Sequence, residues 1–246
     1  MSAIFRTDAL DKHFGGLHVT RSVSLTLNAG ERVALIGPNG AGKTTLINLI
    51  GGVLKPSAGR IWLNGHDVTS HTQGQRVKAG LVRTFQLTTL APHLPVQRQV
   101  ELALFEREGL TGRMWRSIDR YPVLTREALT LLQTLGLGEQ ADTATGLLAY
   151  GEQRLVEMAL ALALRPQVLL LDEPMAGVPK GESARLAAVL ATLPTDTAVL
   201  IIEHDMDLVF RMAGRIIVLA DGAILAQGSP DEIRSHPLVR TAYLGH

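Results

Sequence analysis

The chain has 246 residues, which is enough for one sizeable α/β core with a smaller inserted lobe. Its 24 Lys and Arg residues nearly balance its 23 Asp and Glu residues. That balance argues against a protein built mainly as a cationic partner for nucleic acid or for an anionic membrane. Cysteine is absent, so a disulfide framework and a Cys-based zinc or redox site are excluded, and a reducing cytoplasm suits the chain.

No apolar run approaches the roughly 18–20 uninterrupted residues that a membrane-spanning helix needs. The most apolar stretch, residues 155–171, is interrupted by Glu157, Arg165 and Pro166. The start of the chain also lacks the charged and then apolar plan of a signal peptide. We therefore expect a soluble chain that is not exported.

Strand signals dominate the first third of the chain. Apolar and polar residues alternate over residues 23–27, which is the period of a half-buried strand, and residues 33–36 are wholly apolar. A helix is predicted over residues 44–49. A further strand at residues 61–63 runs into Asn64-Gly65, a dipeptide typical of a two-residue β-hairpin. This region therefore contains one strand–loop–helix unit among several strands.

The middle of the chain, from about residue 87 to 164, has a helical pattern. Apolar residues recur at helical spacing over residues 124–135, with Gly136 as the predicted stop, and again over residues 155–162. Residues 105–120 are rich in Arg and Gly and show no clear period.

Strands and helices alternate over the last third. Short apolar strands are predicted at residues 168–171, 199–202 and 216–219, with helical connections, and this alternation indicates a largely parallel sheet. Ser229-Pro230-Asp231-Glu232 reads as a capping box with proline at the first helical position, which predicts a short terminal helix. The simplest organisation is one α/β domain with a helical lobe inserted in its middle.

A glycine-rich loop lies between the predicted strand at residues 33–36 and the helix that follows. Its sequence, Gly37-Pro38-Asn39-Gly40-Ala41-Gly42-Lys43-Thr44, matches the G-x-x-x-x-G-K-[ST] pattern at every fixed position. Glycines let backbone N–H groups turn inward around phosphate oxygens, and the helix N-terminus adds its positive dipole. Lys43 can reach the β- and γ-phosphates, and the Thr44 hydroxyl can coordinate Mg²⁺. A flexible loop with a solvated lysine is the alternative, but the strand and helix on either side favour a nucleotide site.

Two carboxylates follow the predicted strand at residues 168–171. Asp172 and Glu173 stand at the C-terminal end of that strand, where the chain turns away. Asp172 can hold Mg²⁺ there, directly or through water, and Glu173 can reach the water that attacks the γ-phosphorus. In isolation this run would be a core strand with a solvated end. Together with the phosphate loop, it favours catalysis.

Two further polar residues are candidates for the same pocket. His204 follows the apolar strand at residues 199–202, so a parallel sheet would put it at the same edge as Asp172. A neutral imidazole there could hydrogen-bond the γ-phosphate and the water. Gln86 follows a short apolar–basic segment, and its carboxamide could join the Mg²⁺ and water shell. Each residue alone would more often be structural.

Taken in order, these segments resemble the motif set of the ABC (ATP-binding cassette) ATPases over essentially the whole chain. The resemblance also rests on Leu148-Ala149-Tyr150-Gly151-Glu152-Gln153, which matches the signature segment, and on the Leu-Leu-Leu-Asp-Glu-Pro block. It implies a P-loop NTPase of ABC type, with a mixed, mainly parallel sheet, an antiparallel β subdomain and an inserted helical subdomain. The catalytic core would comprise residues 1–86 and 165–246, and the helical and signature subdomain about residues 87–164.

The resemblance implies a site that uses ATP and Mg²⁺. Two subunits would sandwich two ATP molecules head to tail, with each signature helix pointing at its partner's nucleotide. Phe14 would stack on adenine, with a core phenylalanine as the alternative. The implied nucleotide contacts are Phe14, Gly37, Pro38, Asn39, Gly40, Ala41, Gly42, Lys43, Thr44, Thr45, Ala149, Gly151 and Glu152; the metal would be held by Thr44, Gln86 and Asp172; and the catalytic pair would be Glu173 and His204.

Within that superfamily the chain resembles the cytoplasmic ATPases of branched-chain amino-acid importers. Four segments carry this likeness: His13-Phe14-Gly15-Gly16-Leu17, Val82-Arg83-Thr84-Phe85-Gln86, Glu203-His204-Asp205-Met206 and Ala242-Tyr243-Leu244-Gly245. It implies hydrolysis that powers uptake of branched-chain amino acids or similar small solutes at the cytoplasmic face of the inner membrane. The implied partners are separate transmembrane permeases, a second ATPase subunit, identical or paralogous, and indirectly an extracytoplasmic solute-binding protein. No nucleic-acid partner is expected.

Three positions depart from the usual pattern of the superfamily. The signature serine that contacts the opposite γ-phosphate is Ala149, and Tyr150 replaces the first signature glycine. Pro179 stands where many relatives carry aspartate. All three concern contacts between subunits, and they leave the phosphate loop and Glu173 intact.

Three alternatives stay open. A lipopolysaccharide-export ATPase has similar motifs, although the Ala-Tyr-Gly signature and Glu203-His204-Asp205 favour uptake. A non-transport ABC protein acting on DNA or ribosomes would usually need a long coiled coil or a second cassette in the same chain. A switch GTPase would need an Asn-Lys-x-Asp motif, which the sequence lacks. The cargo is also open, because the binding protein and the permeases of an importer select it.

Overall fold

The computed structural model describes residues 3–84, 90–110, 120–178, 187–190 and 193–241. The chain forms two compact units. The first comprises Met1–Arg83, Gln167–Pro174 and Leu193–His246, and the second comprises Thr84–Pro166 and Met175–Thr192. Within the described ranges, no helix has the length and apolar character that crossing a bilayer requires.

A four-stranded antiparallel sheet begins the first unit. Its strands are β1 (Phe5–Phe14), β2 (Leu17–Leu27), β4 (Ala58–Leu63) and β5 (His66–Asp67), and their order is β2-β1-β4-β5. The predicted hairpin is confirmed, because Leu63 pairs with His66. Asn64 and Gly65 both have positive φ, at 51° and 76°, as a two-residue hairpin turn requires.

A six-stranded sheet forms the rest of the first unit's β structure. Its strands are β3 (Arg32–Ile36), β6 (Leu81–Arg83), β7 (Val168–Asp172), β8 (Ala198–Ile202), β9 (Arg215–Ala220) and β10 (Ala223–Gly228). The order is β10-β9-β3-β8-β7-β6, and every neighbouring pair is parallel except β9 with β10. The predicted strands at residues 33–36, 168–171, 199–202 and 216–219 all lie within this sheet, so the predicted mixed, mainly parallel fold is confirmed.

The first unit's helices are α1 (Lys43–Gly51), α2 (Gln73–Lys78), α6 (Met206–Met212), α7 (Pro230–Ser235) and α8 (Pro237–Val239). The capping box before α7 forms as predicted: the Ser229 hydroxyl accepts from the Glu232 N–H, and the Glu232 carboxylate accepts from the Ser229 N–H. One apolar cluster joins both sheets to α1, through residues such as Phe5, Leu27, Leu35 and Ile47. This cluster includes residues of β3 and α1, the strand and the helix on either side of the glycine-rich loop.

The second unit is mostly helical. It contains α3 (Val96–Arg107), α4 (Pro122–Thr134), a 3₁₀ turn (Thr145–Leu147) and α5 (Tyr150–Ala163), and residues 187–190 are also helical. The predicted helices at residues 124–135 and 155–162 correspond to α4 and α5, although α4 ends at Thr134 and α5 begins at Tyr150. Gly136 follows α4 with a φ of 70°, which is the stop conformation that glycine favours.

Candidate functional site

The carboxyl ends of three neighbouring parallel strands define the candidate site in the first unit. Strand β8 lies between β3 and β7. Ile202, the last residue of β8, is in register with Leu35 of β3 and with Asp172 of β7. The segments that follow these strands therefore emerge at one edge of the sheet, where open α/β sheets bind their ligands.

The glycine-rich loop follows β3 and leads directly into α1. Gly42 precedes α1 with a φ of 96°, and a Cβ at this position would lie 2.8 Å from the Val19 carbonyl oxygen. At Gly37 a Cβ would lie 2.1 Å from the Leu219 carbonyl oxygen. Only glycine fits at these two positions. Because Gly42 has no side chain, the first N–H groups of α1 receive no side-chain cap and can face an anion.

Lys43 is buried at the start of α1 and points back into the loop. Its Nζ donates to the carbonyl oxygens of Gly37 at 2.7 Å and Pro38 at 3.0 Å. Burial lowers the pKa of Lys43, and the charge of Glu173 opposes that shift. The ammonium group is thus held by two neutral acceptors, which phosphate oxygens would replace with stronger, charged ones.

Glu173 and His204 meet at the same edge of the sheet. The Glu173 Oε1 atom lies 2.9 Å from the His204 Nε2 atom, and the Glu173 N–H donates to the Ile202 carbonyl oxygen at 2.9 Å. Both side chains are partly accessible, so solvent and substrate can reach the pair. The two residues that the sequence predicted as catalytic are therefore hydrogen-bonded to one another.

Asp172 is buried at the end of β7, and its partner is a residue that the sequence analysis did not single out. Arg83 donates through Nη2 to the Asp172 Oδ2 atom at 2.7 Å and through Nη1 to the Asn48 Oδ1 atom at 2.6 Å. The signal that could have revealed Arg83 is a charged residue at the end of a short apolar strand, since such a residue must find a partner.

The residues at this edge fit a magnesium ion by their donor chemistry. Mg²⁺ takes oxygen ligands, commonly one or two protein oxygens together with phosphate oxygens and waters. Thr44 presents an exposed hydroxyl in the first turn of α1, and Asp172 supplies a carboxylate. The third predicted ligand, Gln86, lies outside the described residues.

Phe14 ends β1 and is 47% exposed, so it is not a core residue. The Lys12 Nζ atom lies 5.1 Å from the centre of its ring. The hairpin that carries Phe14 lies against the phosphate loop, because the Val19 carbonyl oxygen would contact a Cβ at Gly42. An exposed aromatic ring on this hairpin suits stacking on a base.

The predicted signature residues begin helix α5 of the second unit. Ala149 is the N-cap residue, and its N–H donates to the Glu152 carboxylate at 3.1 Å. Alanine has no side-chain oxygen, so only this half of a capping box forms, and Gly151 lies buried in the first turn. The N-terminal N–H groups of α5 thus resemble those of α1 in lacking a side-chain acceptor at the N-cap.

Tyr150 tethers the start of α5 to the segment that follows Pro174. Its hydroxyl donates to the Ala176 carbonyl oxygen at 3.2 Å and accepts from Arg154 Nη2 at 2.6 Å. A Cβ at Gly177 would lie 3.2 Å from the Tyr150 ring. Burial would lower the pKa of Arg154, but the hydrogen bonds and charges of Glu157 and Tyr150 together outweigh burial and raise it. Pro179 lies outside the described residues.

Comparison with known proteins establishes the class. A family model described as "ABC transporter" matches residues 20–176, and one described as "Branched-chain amino acid ATP-binding cassette transporter" matches residues 223–246. The chain therefore belongs to the ATP-binding subunits of ABC transporters, as its motifs predicted. It is a nucleotide-binding ATPase.

Individual relatives match over almost their full length. The chain is 38% identical to the high-affinity branched-chain amino acid transport ATP-binding protein LivG of Salmonella typhimurium and 36% identical to its counterpart BraF of Pseudomonas aeruginosa. Each alignment covers 98% of both chains. Two crystal structures, one of the ADP conformation of the ATP-binding cassette MJ1267 and one of a nucleotide-free ATP-binding cassette from an ABC transporter, cover all of both chains at 31% identity, with TM-scores of 0.85 and 0.84.

Proposed function

We propose that this chain hydrolyses Mg-ATP to power an importer for branched-chain amino acids or similar small solutes. The observation that carries the proposal is the grouping of the phosphate loop, Asp172 and the Glu173–His204 pair at the ends of β3, β7 and β8. Each is the residue type that triphosphate hydrolysis requires at that place. The names of LivG and BraF, and the family model matched at residues 223–246, support the cargo class.

In the proposed mechanism, the residues of the phosphate loop bind the triphosphate. Lys43 exchanges its two carbonyl partners for β- and γ-phosphate oxygens, and the N–H groups at the start of α1 take further oxygens. Thr44, Asp172 and Gln86 would hold a magnesium ion, and a bound Mg²⁺ would neutralise charge on the phosphoryl oxygens. Phe14 stacks on the adenine, and Thr45, in the first turn of α1, is a further contact to the nucleotide.

Glu173 orients the attacking water and accepts its proton, in the role of a general base or water-positioning residue. His204 hydrogen-bonds the Glu173 carboxylate at 2.9 Å, and we assign to it contacts with the same water and with the γ-phosphate. The charge of Glu173 also acts on Lys43, since it opposes the downward shift of the lysine pKa. Glu173 and Lys43 therefore lie close enough to interact electrostatically.

The proposed working form contains two ATPase subunits. In this arrangement, Ala149, Gly151 and Glu152 at the start of α5 face the nucleotide of the partner, where the N-terminal dipole of α5 favours a phosphate. Ala149 supplies only its backbone, so Tyr150 and its hydrogen bonds to Ala176 and Arg154 take over the task of fixing this segment. The proposal keeps the predicted division into a catalytic core at residues 1–86 and 165–246 and a helical and signature lobe at about residues 87–164.

We further propose that the pair of ATPases attaches peripherally to permease subunits at the cytoplasmic face of the inner membrane. Contact is assigned to Gln86 and residues 87–96, which join the core to the helical lobe. ATP would close the dimer and hydrolysis would reopen it. A solute-binding protein outside the cytoplasm delivers the cargo to the permeases.

Purification of the tagged chain from detergent-solubilised membranes of its native host tests this assignment. We expect two membrane-embedded permeases and a second ATPase to co-purify, and the complex to transport branched-chain amino acids or related solutes when reconstituted with its binding protein. Recovery of lipopolysaccharide-export permeases, or of no membrane protein at all, would contradict the proposed function.

A further inference from the structure

Arg83 joins three elements of the first unit through one guanidinium group. It is the last residue of β6, which lies beside β7 in the sheet. Its Nη2 atom donates to Asp172 at the end of β7, and its Nη1 atom donates to Asn48 in the middle of α1. One side chain therefore connects the metal-binding carboxylate to the helix that carries the phosphate loop.

The surroundings hold the Arg83 side chain in place. It is 9% exposed and the Asp172 side chain is 2% exposed, so both charges are removed from water and depend on each other. The Arg83 Cδ atom is the nearest atom that a Cβ at Gly51 would meet, at 3.5 Å. The stem of Arg83 thus packs against the last turn of α1.

We propose that Arg83 is a positioning residue for the magnesium carboxylate. The inference rests on the proposed function, which gives Asp172 to the metal. Arg83 donates to the Oδ2 atom, and because Asn48 holds the other nitrogen of the planar guanidinium, this hydrogen bond restricts how the carboxylate can turn. The other oxygen of Asp172 then stays available to the magnesium ion that the proposed function assigns to Asp172 and Thr44.

A guanidinium is suited to this task in a way that an ammonium is not. Its fork holds two acceptors in fixed directions, whereas a lysine ammonium is a point charge that can satisfy Asp172 without fixing its orientation. A purely structural ion pair would need only the charge. Groups that orient a metal ligand typically contribute about 10- to 100-fold to metal affinity or activity.

The test compares Arg83→Lys, which keeps the charge, with the wild-type chain. Affinity for a fluorescent ATP analogue is measured in EDTA and then over a Mg²⁺ titration, together with the melting temperature. We expect unchanged affinity in EDTA and a Mg²⁺ concentration for half-maximal effect that rises about 10-fold or more. Turnover at subsaturating Mg²⁺ should fall in parallel.

Two variants sharpen the result. Asn48→Ala keeps the ion pair and removes only the second anchor, so its Mg²⁺ requirement should rise less than that of Arg83→Lys. Arg83→Met leaves the buried Asp172 unpaired, so it should also lower the melting temperature; if it fails to fold, Arg83→Lys alone decides. An Arg83→Lys protein with wild-type Mg²⁺ dependence would overturn the inference, whereas a wild-type chain that binds no nucleotide would overturn the proposed function instead.

Discussion

Glu173 has a left-handed backbone, with a φ of 50°. Such a conformation costs a non-glycine residue roughly 1–2 kcal/mol, and strain of this kind tends to persist where function requires it. Two hydrogen bonds help to offset this conformational cost: the Glu173 N–H donates to the Ile202 carbonyl oxygen, and the Glu173 carboxylate is hydrogen-bonded to His204. The bend turns the chain out of β7 directly after Asp172, so the carboxylate proposed to hold the metal and the proposed base are consecutive residues.

Replacing Glu173 by Gln should abolish turnover and keep ATP binding. The amide has nearly the same shape but cannot accept the proton of the attacking water, so we expect phosphate release at saturating ATP to fall at least about 100-fold. Nucleotide affinity, measured by equilibrium titration, should stay within a few-fold of the wild-type value, and a stable nucleotide-bound dimer should accumulate. Glu139→Gln, at an exposed position of the helical unit, is the control and should change neither quantity. Near wild-type hydrolysis by the Glu173 variant would show that another residue is the base.

The elements of the fold differ in how readily the sequence predicts them. Strands β3, β7, β8 and β9 are short apolar runs because both faces are buried, and the sequence identifies them easily. Strand β1 was missed because its alternation is interrupted: Ala9 has a φ of 44°, and the register against β2 shifts between Thr7 and Leu10. Strand β10 is short, partly exposed and ends in glycine, so it carries little strand signal.

The parts of the candidate site that form contiguous motifs can be predicted from the sequence, whereas contacts between residues far apart in the chain cannot. The phosphate loop is contiguous, and Asp172, Glu173 and His204 each follow an apolar strand, so a parallel sheet brings them together. Arg83 could not be found in this way, because its partners lie 35 and 89 residues away in sequence. No spacing rule reports such a contact. The pairing of Tyr150 with Ala176 was missed for the same reason.

Glu31, the residue before β3, forms an ion pair with Arg215, the first residue of β9. The strength of this ion pair should depend on pH. Arg215 donates to Glu31 at 2.6 Å and to the Thr26 carbonyl oxygen at the end of β2, also at 2.6 Å. Burial alone would raise the pKa of Glu31, but the hydrogen bonds from Arg215 and Asn28 outweigh it and lower the pKa below 4.5. The folded state therefore stabilises the ionised form of Glu31 relative to the protonated form.

The lowered pKa of Glu31 determines how the stability of the fold changes with pH. Stability from Glu31 is fully present above its unfolded pKa near 4.5 and is lost as the pH falls through the lower folded value. Glu31→Gln should be less stable than the wild-type chain by about 1 kcal/mol at pH 7, given partial exposure. The gap in melting temperature, about 2–4 °C for a chain of this size, should narrow below pH 4.5. A gap that stayed constant down to pH 3 would contradict the assignment.

At the scale of the whole molecule, the apolar core of the first unit and the candidate catalytic groups occupy different places. The apolar cluster that joins both sheets to α1 holds the strands, whereas every candidate catalytic group lies on a segment that leaves the sheet at its carboxyl edge. Ala149 and Tyr150 lie at the start of α5 in the second unit, outside that cluster, so their departure from the usual signature leaves the apolar core of the first unit intact. The proposed function depends on one property of the molecule: a triphosphate binds in the loop at residues 37–44.

Calorimetric titration of the wild-type chain and of Lys43→Ala with Mg-ATP tests that claim most directly. We expect one ATP per chain in the wild-type protein and an affinity about 10- to 100-fold lower in the variant, which is the range for losing a hydrogen bond to a charged group. Lys55→Ala removes a lysine at an exposed position and should bind ATP as the wild-type chain does. A wild-type chain that takes up no nucleotide, or a Lys43→Ala chain with undiminished affinity, would contradict the account.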